Sequence, residues 1–121
     1  MKAFLICATL VLASACGAGA NSTPTGAPVS VAVQLEDFEI HVDPTTLTGT
    51  AFTFNVTSAG PTPHNFNIRD DSGRVAGSMD LSTGDSDTVT ATLAPGTYTF
   101  YCAFPGHESL GMHGTLTVTA P

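Results

Sequence analysis

From residue 29 onward one pattern repeats: apolar side chains stand at every second position. Val29, Val31, Val33 and Leu35 alternate with Ser30, Ala32 and Gln34, and Phe52, Phe54 and Val56 with Thr53, Asn55 and Thr57. The same period runs through Phe66 and Ile68, through Val89, Ala91 and Leu93, through Tyr98, Phe100 and Cys102, and through Leu116 and Val118. Successive side chains of a strand point to opposite faces, so a period of two builds strands with one apolar face. Thr, Val and Phe dominate these runs, and they are the residues that suit a pleated, half-buried surface. With Phe38–Val42 added, the pattern predicts about seven or eight short strands. One apolar face per strand needs a second sheet to cover it. The expected fold is therefore all-β, a Greek-key antiparallel β-sandwich. No internal repeat and no long amphipathic helix competes with it.

Turn residues separate the runs: Asp43-Pro44, Ser58-Ala59-Gly60-Pro61, Asp70-Asp71-Ser72-Gly73, Thr83-Gly84-Asp85 and Ala94-Pro95-Gly96. The stretch Leu93-Ala94-Pro95-Gly96-Thr97-Tyr98 fits a tyrosine corner, in which the phenol ties back to the backbone where a strand begins. That is a structural role for Tyr98.

The first residues follow another logic. Lys2 precedes the apolar run 3–13, the layout of a signal peptide. The run is too short to span a bilayer, which takes about 20 apolar residues. Ala13-Ser14-Ala15-Cys16 resembles a bacterial lipobox, although Ala13 stands where a larger aliphatic residue is usual. Residues 1–15 are read as the leader and Cys16 as a lipidated first residue. Cleavage after Ala18-Gly19-Ala20 is the competing site. Residues 16–28 hold small residues, Asn and Pro, the composition of a flexible linker reaching roughly 20 Å on average. The folded domain is expected over 29–120. The protein is expected outside the cytoplasm, in the periplasm or on the outer face of the cell membrane, touching lipid only through Cys16.

Downstream of the leader, Arg69 and Arg74 face all ten Asp and Glu residues, and the whole chain carries a formal charge of −7. Nucleic-acid binding needs a basic footprint, which is missing. The charge instead suits either a basic protein partner met at long range or solubility alone. Of the three cysteines, Cys7 lies in the leader and Cys16 at its end. Cys102 is thus alone in the folded domain, where it has no disulfide partner.

Cys102 opens the densest chemistry in the chain. Tyr101-Cys102-Ala103-Phe104-Pro105-Gly106-His107-Glu108-Ser109-Leu110-Gly111-Met112 lies between two predicted strands and carries a thiol, an imidazole and a thioether. Gly106 and Gly111 each precede a donor and supply the backbone freedom a loop needs to fold over a point. Thiolate and thioether are soft ligands that suit copper(I), and imidazole suits both copper oxidation states. Zinc prefers four strong ligands and has little use for a thioether. A second imidazole must come from elsewhere among the four histidines. His64 follows Pro63 and opens a strand, beside a loop. Strands ending at the same pole would bring it next to Cys102. His113 follows Met112 and should point away, and His41 has no supporting motif. Taken singly, a lone Cys is usually a small hydrophobe and a lone Met a packing residue. The combination in a disulfide-free β-sandwich makes the metal reading the stronger one.

On these residues the chain resembles the cupredoxins of the plastocyanin and azurin type. Pro63-His64-Asn65 matches their early motif. Tyr101 through Met112 matches Tyr-Cys-x-x-Pro-Gly-His-x-x-x-Gly-Met, and Gly114-Thr115-Leu116-Thr117-Val118 matches the final strand. The resemblance covers about residues 29–120. It implies a single copper ion held by His64, Cys102 and His107 in a plane, with Met112 as a weak axial ligand. It also implies that the Asn65 backbone N–H supports the Cys102 sulfur. Such a closed site has no position for substrate, so the implied function is one-electron transport between partner proteins by a monomer, without catalysis. A periplasmic copper chaperone or buffer is the alternative, but only Met79 and Met112 remain in the domain where Met-rich tracts would be needed. A copper oxidase or reductase would need His-x-His pairs, and a binuclear site a second loop Cys; the chain has neither.

Overall fold

The computed structural model describes residues 27–121. The leader, Cys16 and most of the linker lie outside the described residues. Nine strands follow in order: β1 (Val29–Glu36), β2 (Glu39–Asp43), β3 (Thr46–Thr48), β4 (Ala51–Ser58), β5 (Asn67–Asp70), β6 (Gly73–Gly77), β7 (Ser86–Thr92), β8 (Gly96–Tyr101) and β9 (His113–Thr119). One sheet has the order β2-β1-β4-β7 and the other β3-β9-β8-β5-β6. Among the described residues no helix is long and apolar enough to cross a membrane.

Alternation decides which faces meet. Val31, Val33 and Leu35 of β1, Phe52, Phe54 and Val56 of β4, and Val89 of β7 are buried from one side. Tyr98 and Phe100 of β8 and Leu116 and Val118 of β9 are buried from the other. Phe66 joins the layers: its ring centroid lies 5.5 Å from Phe54 and 6.2 Å from Phe100. The tyrosine corner is present, with Tyr98 Oη donating to the Ala94 carbonyl at 2.7 Å.

Three details depart from the expectation. The sheets are mixed, because β1 pairs β4 and β3 pairs β9 in parallel. Alternation sets the face of a strand but carries no information on its direction. The chain leaves the first sheet after β2, runs through β3 in the second, and returns along β4 in the direction of β1. Nine strands replace the expected seven or eight. β3 has three residues and β6 begins at a turn glycine, so neither shows the full period. Finally, Phe66, Asn67 and Ile68 are all buried, breaking the alternation where β5 starts. The strand begins at Asn67, and His64 precedes it in an isolated bridge to Leu81.

Candidate metal centre

The site forms at one pole, where β8 hands over to β9. The intervening loop winds tightly on its own backbone. His107 N–H donates to Phe104 O at 3.1 Å, Leu110 N–H to Gly106 O at 3.2 Å, and Met112 N–H to His107 O at 3.2 Å. A single 3-10 turn occupies Glu108–Leu110. Gly106 and Gly111 adopt φ of 81° and 119°, the left-handed region their place in the loop requires. Cys102 N–H donates to Met112 O at 3.1 Å, which sets the first and last residues of the loop side by side.

Strand pairing brings the distant histidine in. β5 lies antiparallel to β8 with Asn67 opposite Tyr101, so the residues just before Asn67 meet those just after Tyr101. His64 is anchored by two backbone bonds to Leu81, of 3.0 and 2.8 Å. Its Nδ1 lies 3.1 Å from His107 Nδ1, and His107 Nδ1 lies 3.6 Å from Cys102 Sγ. One donor atom from each of His64, Cys102 and His107 falls within 4.8 Å of the others. These separations fit ligands on one ion. Two nitrogens each about 2.0 Å from a common metal lie roughly 3.3 Å apart, and a nitrogen and a thiolate about 3.6 Å.

His64, Cys102 and Met112 have no solvent exposure, and His107 is half-buried. The other two histidines stand apart. His41 is exposed beside Glu39, at 3.5 Å, and His113 is exposed at the start of β9.

Supporting contacts surround the donors. Asn65 supports the loop through its side chain: Oδ1 accepts from Ala103 N–H and from Asn67 Nδ2, both at 2.8 Å, and Nδ2 donates to Asp80. Among the described residues the Asn65 backbone N–H makes no bond to Cys102 Sγ; the support present runs from the Asn65 side chain to the N–H of Ala103, the residue after Cys102. Arg69 clamps the loop from β5, pairing both guanidinium arms with Glu108 while lying 4.2 Å over the Tyr101 ring. That pairing holds the Glu108 carboxyl below its ordinary value. Phe104 stacks on His107 at 5.5 Å and Phe38 meets the same ring edge-on at 5.2 Å.

Asp37 was not legible as part of the site. Its Oδ1 accepts from His64 Nε2 at 2.9 Å, from Thr62 N–H at 3.3 Å, and from the Thr62 hydroxyl. The Thr62 hydroxyl bond is the main cause holding its carboxyl below the usual range, with partial burial opposing and His64 assisting. A carboxylate at a hairpin turn carries no periodic or motif signal, so only the fold reveals it.

A model of the cupredoxin-like domain family matches residues 3–118. The chain belongs to the cupredoxin-like family. Among curated proteins, Auracyanin-B of Chloroflexus aurantiacus is 60% identical over 40 residues, a stretch spanning 32% of this chain and 17% of that protein. Among solved structures, auracyanin B is 27% identical, with 82% of this chain and 92% of that chain covered and a TM-score of 0.64. Auracyanin A of Chloroflexus aurantiacus, described as a "blue" copper protein, is 25% identical over 77% of this chain and 100% of that one, with a TM-score of 0.63. Dithionite-reduced auracyanin from Roseiflexus castenholzii shares the fold at 24% identity and a TM-score of 0.64, covering 78% and 99% of the two chains. For this cupredoxin-like chain the His-Cys-His cluster is compatible with one copper ion as cofactor.

Proposed function

We propose that the chain is a type 1 blue-copper electron carrier whose metal is held by His64, Cys102, His107 and Met112. The observation that carries this reading is the convergence of two imidazole nitrogens and one thiol within 4.8 Å. When bound, copper supplies a one-electron Cu(II)/Cu(I) couple, tuned by a weak axial thioether.

The protein's part is to hold that donor set still and dry. Cys102 is fixed between β8 and the Met112 carbonyl, and His64 by its bridge to Leu81. Three of the four donors have no solvent exposure, which limits the approach of water to a coordination position. Chemistry on a bound substrate needs an open position, and this arrangement offers none. That supports a carrier rather than an enzyme. His107 is the exception to the burial, and its imidazole edge is the expected exit for electrons.

The acidic surface favours basic redox partners and a high encounter rate. The leader, with Cys16 as lipid attachment point, supports an exported protein tethered to a membrane. Fractionating cells that express the full chain, alongside Cys16→Ala, tests the tether: free wild-type protein beginning at Asn21 would overturn it.

The visible spectrum of the copper-loaded protein tests the central reading. The expected result is one copper per chain, an intense blue colour when oxidised, and reversible cycling by ferricyanide and ascorbate. A colourless copper complex would overturn it.

A further inference from the structure

Two of the donors are held in different ways. His107 makes no hydrogen bond through Nε2 among the described residues. His64, with no solvent exposure, directs its Nε2 at a carboxylate oxygen 2.9 Å away. A carboxylate accepts and cannot donate. His64 must therefore carry its proton on Nε2, which leaves the Nδ1 lone pair facing His107 Nδ1 and Cys102.

The surroundings are shaped to allow this contact. Asp37 and Phe38 form the turn between β1 and β2. Phe38 has φ of 63°, a conformation strained for a residue with a Cβ. Strain of this kind persists where the surroundings impose it, commonly at functional sites. Here the Phe38 ring lies edge-on to both His107 and His64, and a Cβ on Gly111 would approach the Phe38 carbonyl to 3.2 Å. Gly60 completes the fit. A Cβ there would sit 2.6 Å from Asp37 Oδ1 and 2.9 Å from His64 Nε2. Only a residue without a side chain lets the carboxylate and the ring meet.

We propose that Asp37 is a positioning residue that locks the ring and tautomer of His64 and places a fixed negative charge beside the metal centre. This rests on the copper reading above. A carboxylate behind a ligating imidazole orients the ring and raises its basicity. Its charge favours the more positive oxidation state, so Asp37 lowers the reduction potential and strengthens copper(II) binding.

The test compares wild type with Asp37→Asn and Asp37→Ala. The side chain is partly exposed on a turn, and the Asn variant keeps its shape. In copper-free protein, nitrogen-15 NMR of the imidazoles should show His64 as the Nε2–H tautomer. Asp37→Ala should broaden or mix that signal, and Asp37→Asn should preserve it through the amide oxygen. Chelator competition should show copper(II) affinity falling by about 10- to 100-fold in Asp37→Ala, the usual cost of losing such a partner. Asp37→Asn should keep the blue spectrum while its potential rises, since charge is lost but the hydrogen bond is not. Unchanged tautomer, affinity and potential in both variants would overturn the proposal. The copper-free NMR result judges Asp37 by itself, whereas a colourless wild-type complex would remove the copper reading instead.

Discussion

The two ends of this sandwich close in different ways. At the end holding the β3–β4 and β7–β8 turns, closure uses main chain and neutral hydroxyls: Gly49 N–H donates to Thr119 O and Leu93 N–H to Thr50 O, the Thr48 and Thr119 hydroxyls pair, and the Tyr98 phenol donates to Ala94 O. Residues 47–51 and 93–98 include no carboxylate, imidazole or thiol. At the other end the closure runs through side chains. The buried polar side chains of His64 and Asn67 lie there, bonded to Asp37 and Asn65 beside the 102–112 loop. Buried polar groups cost stability unless they are paired. One pole is thus built for folding and the other for holding reactive donors at fixed positions. Substitutions should separate along the same line.

The largest effect is expected from Cys102→Ser. The blue colour of such centres comes from charge transfer out of the thiolate, so an alcohol oxygen in its place should bleach the protein even where metal stays bound. The domain should still fold, since Ser is close in size. Absorption of the copper-loaded variant checks this, and a persisting blue band would show that the chromophore is not Cys102.

Phe52→Ala probes the opposite pole. Phe52 is 1% exposed and neighbours Gly49 at the far end of β4. Removing a buried phenyl ring costs about 3–5 kcal/mol. Denaturant unfolding should show that loss while the spectrum and potential of the copper-loaded protein stay as in wild type. A shifted potential would break the comparison, because it would mean that the two poles are coupled through the core.

Met112→Gln should change the potential more than the fold. The site is fully buried, and an amide placed there needs the metal or a neighbour as partner. Blue-copper centres accept Gln as an axial ligand. Copper should remain bound, with a lower potential, because amide oxygen favours copper(II). Voltammetry checks it, and complete loss of copper would show that Met112 is more than a weak axial ligand.

The sandwich and the clustering of His64, Cys102 and His107 were legible in the chain itself, for distinct reasons. Alternation identifies faces, so Val31, Phe54, Phe100 and Leu116 point inward as expected. It does not encode strand direction, so the parallel pairing of β1 with β4 lay outside its reach. Cys102, His107 and Met112 share one loop, and a local motif is visible without a fold. His64 was reached through its Pro-His-Asn setting and its position at a strand start. Asp37 and Gly60 acquire meaning only once β1, β4 and the loop after β4 are packed together. Asn65 was identified as a support of this loop, and its side-chain bond to Ala103 N–H was not, because a sequence names a residue and not its rotamer.

The smallest effect concerns the surface around His107. Phe38 is 37% exposed and Leu110 61%, and Phe104, Pro105, Pro61 and Pro63 lie in the adjoining loops. On a chain with ten carboxylates, a cluster of exposed apolar side chains beside His107 is what a docking redox partner would use, and this is the reading to test. Electron-transfer encounters are small and short-lived, so a modest patch is enough. A flat apolar face also lets a partner approach the imidazole edge closely without stripping water from charges. Leu110→Glu should leave the spectrum unchanged, because the side chain points to solvent and the loop's backbone bonds do not involve it. Self-exchange brings two such faces together, and two like charges a few ångströms apart in water cost about 1 kcal/mol, a slowing of roughly fivefold. Desolvating the new carboxylates adds to that. NMR line broadening in mixtures of oxidised and reduced protein measures the rate. If it stays at the wild-type value with a carboxylate beside His107, the patch serves only to keep water from the copper, and electrons leave by another path.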